Sequence, residues 1–313
     1  MLSVAIQTLG ITAPVFIMLF IGVALKRLGW IDAAFVQTAS ALVFRATMPT
    51  LLFLSIIKAD LDAALQPGLL IYYVMATVAT FVLAWVWALW RCPQADRGVY
   101  IQGAFRGNNG IVGLALATSL YGDYGLSLGG VLAGVVILVY NSLSALILAI
   151  YSPGGRVGAG AILLSILRNP LVIGVTAAVP VAYWQIPLPD WVMTSGQYFA
   201  QMTLPLALIC IGGTLSLSVL RESSRMAMSS SLMKMVWLPA LATLGAWLFG
   251  FRGAELGILF LYFASPTASA SFVMARAVNA NHQLAAVIIV ITTLMAAVSI
   301  NVGLFILGWL GWL

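Results

Sequence analysis

Long apolar runs separated by short polar stretches fill almost the whole chain. The hydrocarbon core of a bilayer is about 30 Å thick, so a helix needs about 20 apolar residues to cross it. The period-two alternation that marks the strands of a membrane barrel is absent. The pattern predicts an all-α membrane protein with about ten transmembrane helices, at 8–26, 34–57, 69–90, 98–120, 126–151, 168–186, 193–217, 232–250, 254–277 and 284–310.

Composition supports the same class of protein. Of the 313 residues, 63% are hydrophobic and 7% are charged, whereas about 25% of the residues of a soluble domain are charged. With no hydrophilic block longer than a loop, we expect a single membrane domain surrounded by the lipid bilayer. The net charge of +6 does not indicate a nucleic-acid partner, because the basic residues stand singly at the ends of apolar runs.

The loop charges predict an orientation. Positive residues favour cytoplasmic loops, and one set of alternate loops holds Lys26, Arg27, Arg91, Arg97, Arg156, Arg168, Arg221, Arg225, Lys234 and Arg276. The other set holds only Lys58 and Arg252. We therefore expect a multi-pass protein of the inner (plasma) membrane with both termini outside.

Nothing in the sequence predicts a cofactor, a metal site or an enzyme. Cys92 and Cys210 lie far apart, in a loop and in an apolar run, and the lone His282 falls in a loop. An intramembrane enzyme would need a nucleophile with a base, or a set of metal ligands.

Three landmarks recur at one offset along the chain. Pro14 and Pro170 each open a run (170 − 14 = 156), and Pro49 and Pro205 follow at the same separation, as do Gly110 and Pro266. Because five spans per half is an odd number, the two halves would insert with opposite orientation, which is typical of secondary transporters. We predict a first inverted repeat at 1–155 (spans one to five) and a second at 156–313 (spans six to ten).

Two apolar runs, spans four and nine, are interrupted near their middle by polar or helix-breaking clusters. The first is Arg106-Gly107-Asn108-Asn109-Gly110, and the second is Ser265-Pro266-Thr267-Ala268-Ser269. Ser265-Pro266 also reads as a helix start, with a capping serine before a proline at the first helical position. Discontinuous, crossing helices would place two positive helix ends at the midplane, where they favour an anion. The alternative is that the small residues only permit close packing and the proline only kinks its helix, but the matched positions favour function.

Arg45 and Arg106 lie near the middle of predicted spans two and four, whereas no acidic residue lies deep in any span. Arginine at the bilayer centre costs at least about 2.5–3.5 kcal/mol, so a substrate carboxylate is one candidate for the compensating charge. Backbone carbonyls or snorkelling toward the cytoplasmic face are the alternative. The candidate substrate-binding residues are Arg106, Asn108, Asn109, Gly110, Ser265, Pro266, Thr267, Asn141 and Arg45.

The motifs resemble those of the auxin efflux carrier family, which includes plant auxin exporters and bacterial organic-acid permeases. The similar segments are Phe44–Phe53 with Pro49-Thr50-Leu51-Leu52-Phe53, Phe105–Leu114 with Asn109-Gly110, Arg168-Asn169-Pro170, Ser265-Pro266-Thr267-Ala268 and Val273-Met274-Ala275-Arg276. One departure is Ala115, where many members have a proline.

The resemblance implies ten spans, crossing broken helices four and nine, and transport of anionic carboxylates. It also implies a scaffold of spans one, two, six and seven that mediates a homodimer, past which the other spans move as an elevator. Two other transport classes stay open: a sodium-coupled organic-anion symporter of the bile-acid type, which would need buried ion ligands, and an anion channel.

Overall fold

The structure is a computed structural model that describes residues 2–58, 66–151, 160, 164, 168, 170–214, 225–268 and 270–313. Every named regular element within these ranges is helical, as predicted. In chain order the α-helices are α1 (Leu2–Arg27), α2 (Ala33–Leu42), α3 (Met48–Lys58), α4 (Pro67–Arg91), α5 (Arg97–Phe105), α6 (Leu114–Tyr151), α7 (Pro170–Tyr183), α8 (Asp190–Gln201), α9 (Thr203–Thr214), α10 (Arg225–Leu232), α11 (Leu238–Leu248), α12 (Gly253–Phe263), α13 (Ala270–Ala277) and α14 (His282–Trp309).

Several of these helices join into longer segments through π-helical turns. Four continuous segments are, by length and composition, long and apolar enough to cross a membrane: Pro67–Arg91, Asn109–Tyr151, Arg225–Leu248 and His282–Trp309. Helix α1 is also 26 residues long, whereas the apolar helices α7 and α12 are shorter. The chain is therefore a multi-pass membrane protein.

Two of the π-helical turns lie just before prolines. Val43–Thr47 joins α2 to α3 and ends two residues before Pro49, while Met233–Trp237 joins α10 to α11 and ends two residues before Pro239. Proline lacks an N–H group and its ring crowds the carbonyl one turn earlier. A widened turn accommodates both effects without ending the helix.

The bounds of the described helices recur along the chain. Helices end at 27 and 183, and helices begin at 97 and 253; the members of each pair are 156 positions apart (253 − 97 = 156). The non-helical Gly122 within α6 corresponds in the same way to the gap between α13 and α14. The predicted boundary between the halves, at 155 and 156, lies outside the described residues, as do Arg156 and Arg221.

Helix packing forms two groups of described elements, which also contact each other where α1 packs against α6 and α14 and where α3 packs against α6. In one group α1 packs against α9, α3 packs against α7 and α8, and α2 packs against α9. In the other, α5 packs against α4, α6, α10 and α14, while α12 packs against α6 and α11. Within the first group, Gly22 and Gly212 let α1 and α9 approach so closely that a Cβ on either would overlap backbone of the facing helix.

One predicted span begins too late. The sequence pattern predicted a span at 232–250, with Lys234 counted among the loop charges, but the helical segment begins at Arg225. Lys234 lies inside this segment, in the π-helical turn Met233–Trp237, and is buried. The assignment of Lys234 to a loop was wrong, because the serine-rich start of the helix lowers its average hydropathy.

Candidate functional site

The two interruptions predicted from the sequence are in direct contact. The first separates α5 from the π-helical turn Asn109–Gly113 that leads into α6, and the second separates α12 from α13. Gly107 and Thr267 form an antiparallel bridge. The Asn108 amide donates to the carbonyl of Pro266 at 2.7 Å. Two extended strands of main chain therefore satisfy each other's polar groups inside the protein, as backbone at membrane depth requires.

Side chains of the second interruption complete this main-chain pairing. The Thr267 hydroxyl donates to the carbonyl of Gly103 at 2.7 Å, near the end of α5. The Thr267 amide in turn donates to the Thr292 hydroxyl of α14 at 3.1 Å. The Ser265 hydroxyl donates to the carbonyl of Leu261 in its own helix at 2.9 Å. The two interruptions and α14 thus form one hydrogen-bonded unit.

The reading of Ser265-Pro266 as a helix start is wrong. Both residues follow the end of α12, and the next helix begins at Ala270. Ser265 therefore caps the carbonyl end of the preceding helix rather than the start of the next one. Pro266 lies between the two helices, where its carbonyl accepts the hydrogen bond from the Asn108 amide.

The helix that follows the first interruption starts at the site itself. Its first turn is π-helical, and the amides of Ile111, Val112 and Gly113 all lie within 3.3 Å of the Asn108 carbonyl. The preceding amides, of Asn109 and Gly110, have no acceptor among the described residues. A helix start of this kind carries a partial positive charge and binds anions.

Arg106 is held by neutral groups. Its side chain is buried, and one guanidinium nitrogen lies 3.3 Å from the Tyr140 carbonyl, 3.1 Å from the Ser144 hydroxyl and 3.2 Å from the Met274 sulfur. The other terminal nitrogen donates to the Asn141 side-chain oxygen at 2.8 Å. These contacts hold the guanidinium in place, and none of its described partners carries a negative charge. Asn141, a predicted site residue, therefore orients Arg106.

The two asparagines of the first interruption differ in their surroundings. The buried Asn109 amide donates to the hydroxyls of Tyr73 and Tyr140, and its side-chain oxygen has no hydrogen-bond partner. Asn108 and Gly110 are half-buried. Asn109 organises the two tyrosines, whereas the half-buried Asn108 keeps part of its surface exposed.

Sequence reasoning missed a second buried cation at this site. The Lys234 side chain is 2% exposed, and its ammonium donates to the carbonyl of Phe263, the last residue of α12, at 3.0 Å. The same nitrogen lies 3.2 Å from the position that a Cβ on Gly107 would occupy. The signal in the sequence was the run of three serines at 229–231, since small polar residues are typical of buried helix contacts in membranes.

Within the described ranges, no acidic side chain is buried beside these cations. The acidic residues in the described part of the chain lie at helix ends or beside the Gly122 kink, and none is buried: Asp32, Asp96, Asp123, Asp190 and Glu255. No cluster of three His, Cys, Asp or Glu side chains that could hold a metal ion occurs among the described residues.

One predicted site residue lies apart from this cluster. Arg45 is in the π-helical turn Val43–Thr47, its side chain is exposed, and no described hydrogen bond links it to either interruption. The structure brings together the other candidates, from Arg106 to Gly110 and from Ser265 to Thr267, with Asn141 behind Arg106.

Comparisons with known proteins cover both interruptions. The sequence profile of a family described as "Membrane transport protein" matches residues 9–304. An uncharacterized transporter of Methanothermobacter thermautotrophicus is 24% identical over 292 residues, which cover 91% of this chain and 94% of the relative. An uncharacterized transporter of Methanocaldococcus jannaschii is 24% identical over 296 residues, which cover 89% of this chain and 92% of the relative.

Proposed function

Since the chain belongs to the membrane transport protein (auxin efflux carrier) family, we propose that it is a secondary transporter, or permease, for small organic anions. A carboxylate would bind where the two interruptions meet. The proposal makes the protein a carrier rather than an enzyme.

The buried charge of Arg106 carries this proposal. All of its described hydrogen-bond partners are neutral, and no buried acid occurs in the described part of the chain. An uncompensated arginine at membrane depth costs at least about 2.5–3.5 kcal/mol. A bound anion would offset that cost while the substrate is in the site. Substrate binding would therefore explain why a buried arginine is present at this position.

Several groups around the interruptions suit a carboxylate. The half-buried Asn108 side chain and the amides of Asn109 and Gly110 supply hydrogen-bond donors at a positive helix end. Arg106, oriented by Asn141, supplies positive potential more than direct contact, because both of its terminal nitrogens are engaged. Ser265, Pro266 and Thr267 would form the opposite wall. Arg45 remains a candidate only if it meets the substrate in another state of the transport cycle.

The proposed architecture is ten spans in two inverted five-helix repeats, at 1–155 and 156–313, with spans four and nine discontinuous and crossing. The recurrence of helix bounds at an offset of 156 positions supports the repeat, and the bridge between Gly107 and Thr267 supports the crossing. Paired interruptions at matched positions are the arrangement from which transporters build a midplane site.

We further propose an elevator mechanism, which the two packing groups support. Helices α1, α2, α3, α7, α8 and α9 would form the scaffold that mediates a homodimer. The remaining helices, which carry both interruptions, would move past the scaffold as one body. Support comes from the hydrogen bonds among the two interruptions and α14, which tie the site to a single group of helices.

The proposed orientation in the inner membrane places both termini outside. Cys92 is a poor probe of it, because the thiol is 6% exposed and burial raises its pKa to about 11. Trp30 and Trp184 are exposed by 76% and 68% and fall on opposite sides in this topology. In a variant lacking both native cysteines, an impermeant thiol reagent added to intact cells should label Trp184→Cys and not Trp30→Cys. The opposite labelling would invert the topology.

The function is tested by binding and by flux. Purified protein should be stabilised against heat by members of a panel of acetate, pyruvate, malonate and succinate, because a ligand that binds the folded state raises its melting temperature. In proteoliposomes a carrier should accumulate the same anion against its gradient, whereas a channel only equilibrates it. If no carboxylate stabilises the protein or is transported, the proposal is wrong.

A further inference from the structure

Lys234 occupies an unusual position between two interrupted helices. It reaches the site from a third segment, Arg225–Leu248, and donates to the last carbonyl of α12 while facing Gly107 of the first interruption. Its side chain is 2% exposed. Burying an ammonium group costs several kcal/mol unless other interactions compensate, so its charge needs an explanation.

Helix capping alone does not explain that charge. The four carbonyls at the end of α12 are all satisfied: those of Phe260 and Tyr262 by the amides of Ala264 and Ser265, that of Leu261 by the Ser265 hydroxyl and that of Phe263 by Lys234. Ser265 demonstrates that a neutral donor suffices at this helix end. A serine or glutamine could cap Phe263 without the desolvation cost of a buried ammonium.

The surroundings of Lys234 hold no compensating acid within the described ranges. The helices packed against its turn are α5, α10, α11 and α14, and their charged or titratable cations, Arg97, Arg225 and His282, stand at helix starts. Glu255 lies on α12, eight residues before the carbonyl that Lys234 contacts, or about 12 Å along the helix axis. The partial negative charge at the end of α12 is thus the main electrostatic partner of the ammonium.

Broken-helix transporters hold their coupling cations at such places. Unwound backbone carbonyls and the C-terminal ends of half-helices coordinate sodium ions, while half-helix N-termini face the anionic substrate. In this protein the end of α12 is a half-helix C-terminus beside an unwound segment, and the group donating to its carbonyl is the Lys234 ammonium.

We propose that the Lys234 ammonium fills, from within the chain, the cation position of this site, so that carboxylate binding requires no dissolved sodium ion. This inference rests on the proposed function and names its coupling property. The charge that another carrier would take up as a free cation is here covalently tethered, and it stays beside the first interruption whether or not substrate is bound.

The test compares sodium with choline salts. Binding of malonate, succinate, pyruvate and acetate to the purified full chain is measured by calorimetry or thermal shift in each salt. The parent protein should bind equally well in both. Lys234→Gln keeps a neutral donor for the Phe263 carbonyl but removes the charge, so in choline its affinity should fall by at least about tenfold. Sodium should restore part of that loss, because the cation position is then open.

Each result is decisive. A parent protein that binds carboxylate only in sodium overturns the tethered cation but leaves the proposed function standing, whereas a parent that binds none of the four anions in either salt overturns both. The inference is also overturned if Lys234→Gln binds carboxylate as tightly as the parent in choline, or if sodium does not raise the affinity of this variant. Lys234 would then only cap the end of α12.

Further variants separate the effect of the Lys234 charge from an effect of misfolding. Lys234→Arg retains the charge and should stay independent of sodium. If Lys234→Gln does not fold, Lys234→Ala opens the same position and takes its place, with the same outcomes expected. Ser230→Ala removes a buried neutral donor, to the Tyr100 carbonyl, from the helical segment that carries Lys234, so it should lower the melting temperature without creating a requirement for sodium.

Discussion

The two interruptions lie against each other but contribute different chemistry. The first offers side chains: Arg106 has only neutral partners among the described residues, and Asn108 is half-buried. The second offers main chain, because the hydroxyls of Ser265 and Thr267 are already used on the carbonyls of Leu261 and Gly103. At the proposed site an anion would therefore meet donors and charge from one side and hydrogen-bonded main chain from the other.

Both interruptions nevertheless acquire a cation, by different routes. Arg106 is part of the first interruption itself, whereas Lys234 reaches the second from a neighbouring helical segment. The two interruptions thus lie at matched positions of the backbone but do not have matching charged side chains. The difference predicts that changes in the first interruption act mainly on affinity and that changes in the second act mainly on stability.

Removing the charge of the first interruption should give the largest effect. Arg106→Gln is expected to weaken carboxylate binding by about ten- to a hundredfold, the range of a lost charge-assisted interaction. Arg106→Lys should recover part of the loss, because lysine keeps the charge but not the planar fork that Asn141 and Ser144 hold. Calorimetric titration of the purified variants measures both.

Arg97→Gln is the matched control for this experiment. It removes one positive charge from the first residue of α5, about 13 Å along the helix axis from Arg106. Mobile ions at that helix end screen the electric field of Arg97. The affinity of this variant should change by less than about twofold. Equal affinities for Arg106→Gln and Arg97→Gln would make Arg106 a structural residue and leave the helix start alone to attract the anion.

The contact between the interruptions can be broken sterically. A Cβ on Gly113 would lie 2.8 Å from the Ser265 hydroxyl oxygen, so Gly113→Ala should destabilise the protein by about 1–3 kcal/mol, as overpacking does. Ser265→Ala removes that oxygen, and the double variant should be more stable than the sum of the single changes predicts. Additive losses in denaturation experiments would show that the two residues are not in contact in the folded protein.

The sequence contained enough to locate the interruptions and to suggest that they meet. Polar clusters at membrane depth are costly, so Arg106–Gly110 and Ser265–Ser269 stood out from apolar surroundings. The offset of 156 positions paired them. In the structure their main chains are bridged, although the second helix restarts four residues later than Pro266 suggested, at Ala270.

Other features depend on tertiary contacts that no local pattern encodes. Lys234 read as a loop residue because serines 229–231 made the start of its helix polar, yet those at 230 and 231 are fully buried against other helices. The tyrosine pair around Asn109 brings α4 and α6 together across distant positions, Tyr73 and Tyr140. Arg45 read as buried because it stands mid-run, but its turn directs the side chain outward.

The accessible amide of the first interruption should matter less than its charge. Asn108→Ala is expected to weaken carboxylate binding by about tenfold, the loss of one hydrogen bond to a charged ligand. Stability should change little, because the Asn108 main chain makes the contact with Pro266. Asn301→Ala is the control, since that amide donates to the Ala297 carbonyl of its own helix. If Asn108→Ala loses no more affinity than this control, the substrate does not contact Asn108.

The smallest effect is expected in the second interruption. Thr267→Val keeps the shape of the side chain but removes the hydroxyl that donates to the Gly103 carbonyl. The loss of one hydrogen bond inside the protein should lower stability by about 1 kcal/mol and leave carboxylate affinity nearly unchanged. Thr80→Val provides the comparison, because its hydroxyl donates to the Thr77 carbonyl within the continuous helix α4, whose carbonyls also accept helical amides. Denaturation midpoints and titrations of both variants separate the two quantities. If Thr267→Val is as stable as the parent but binds carboxylate more weakly, both interruptions recognise the substrate. The predicted separation, with affinity set by the first interruption and stability by the second, would then be wrong.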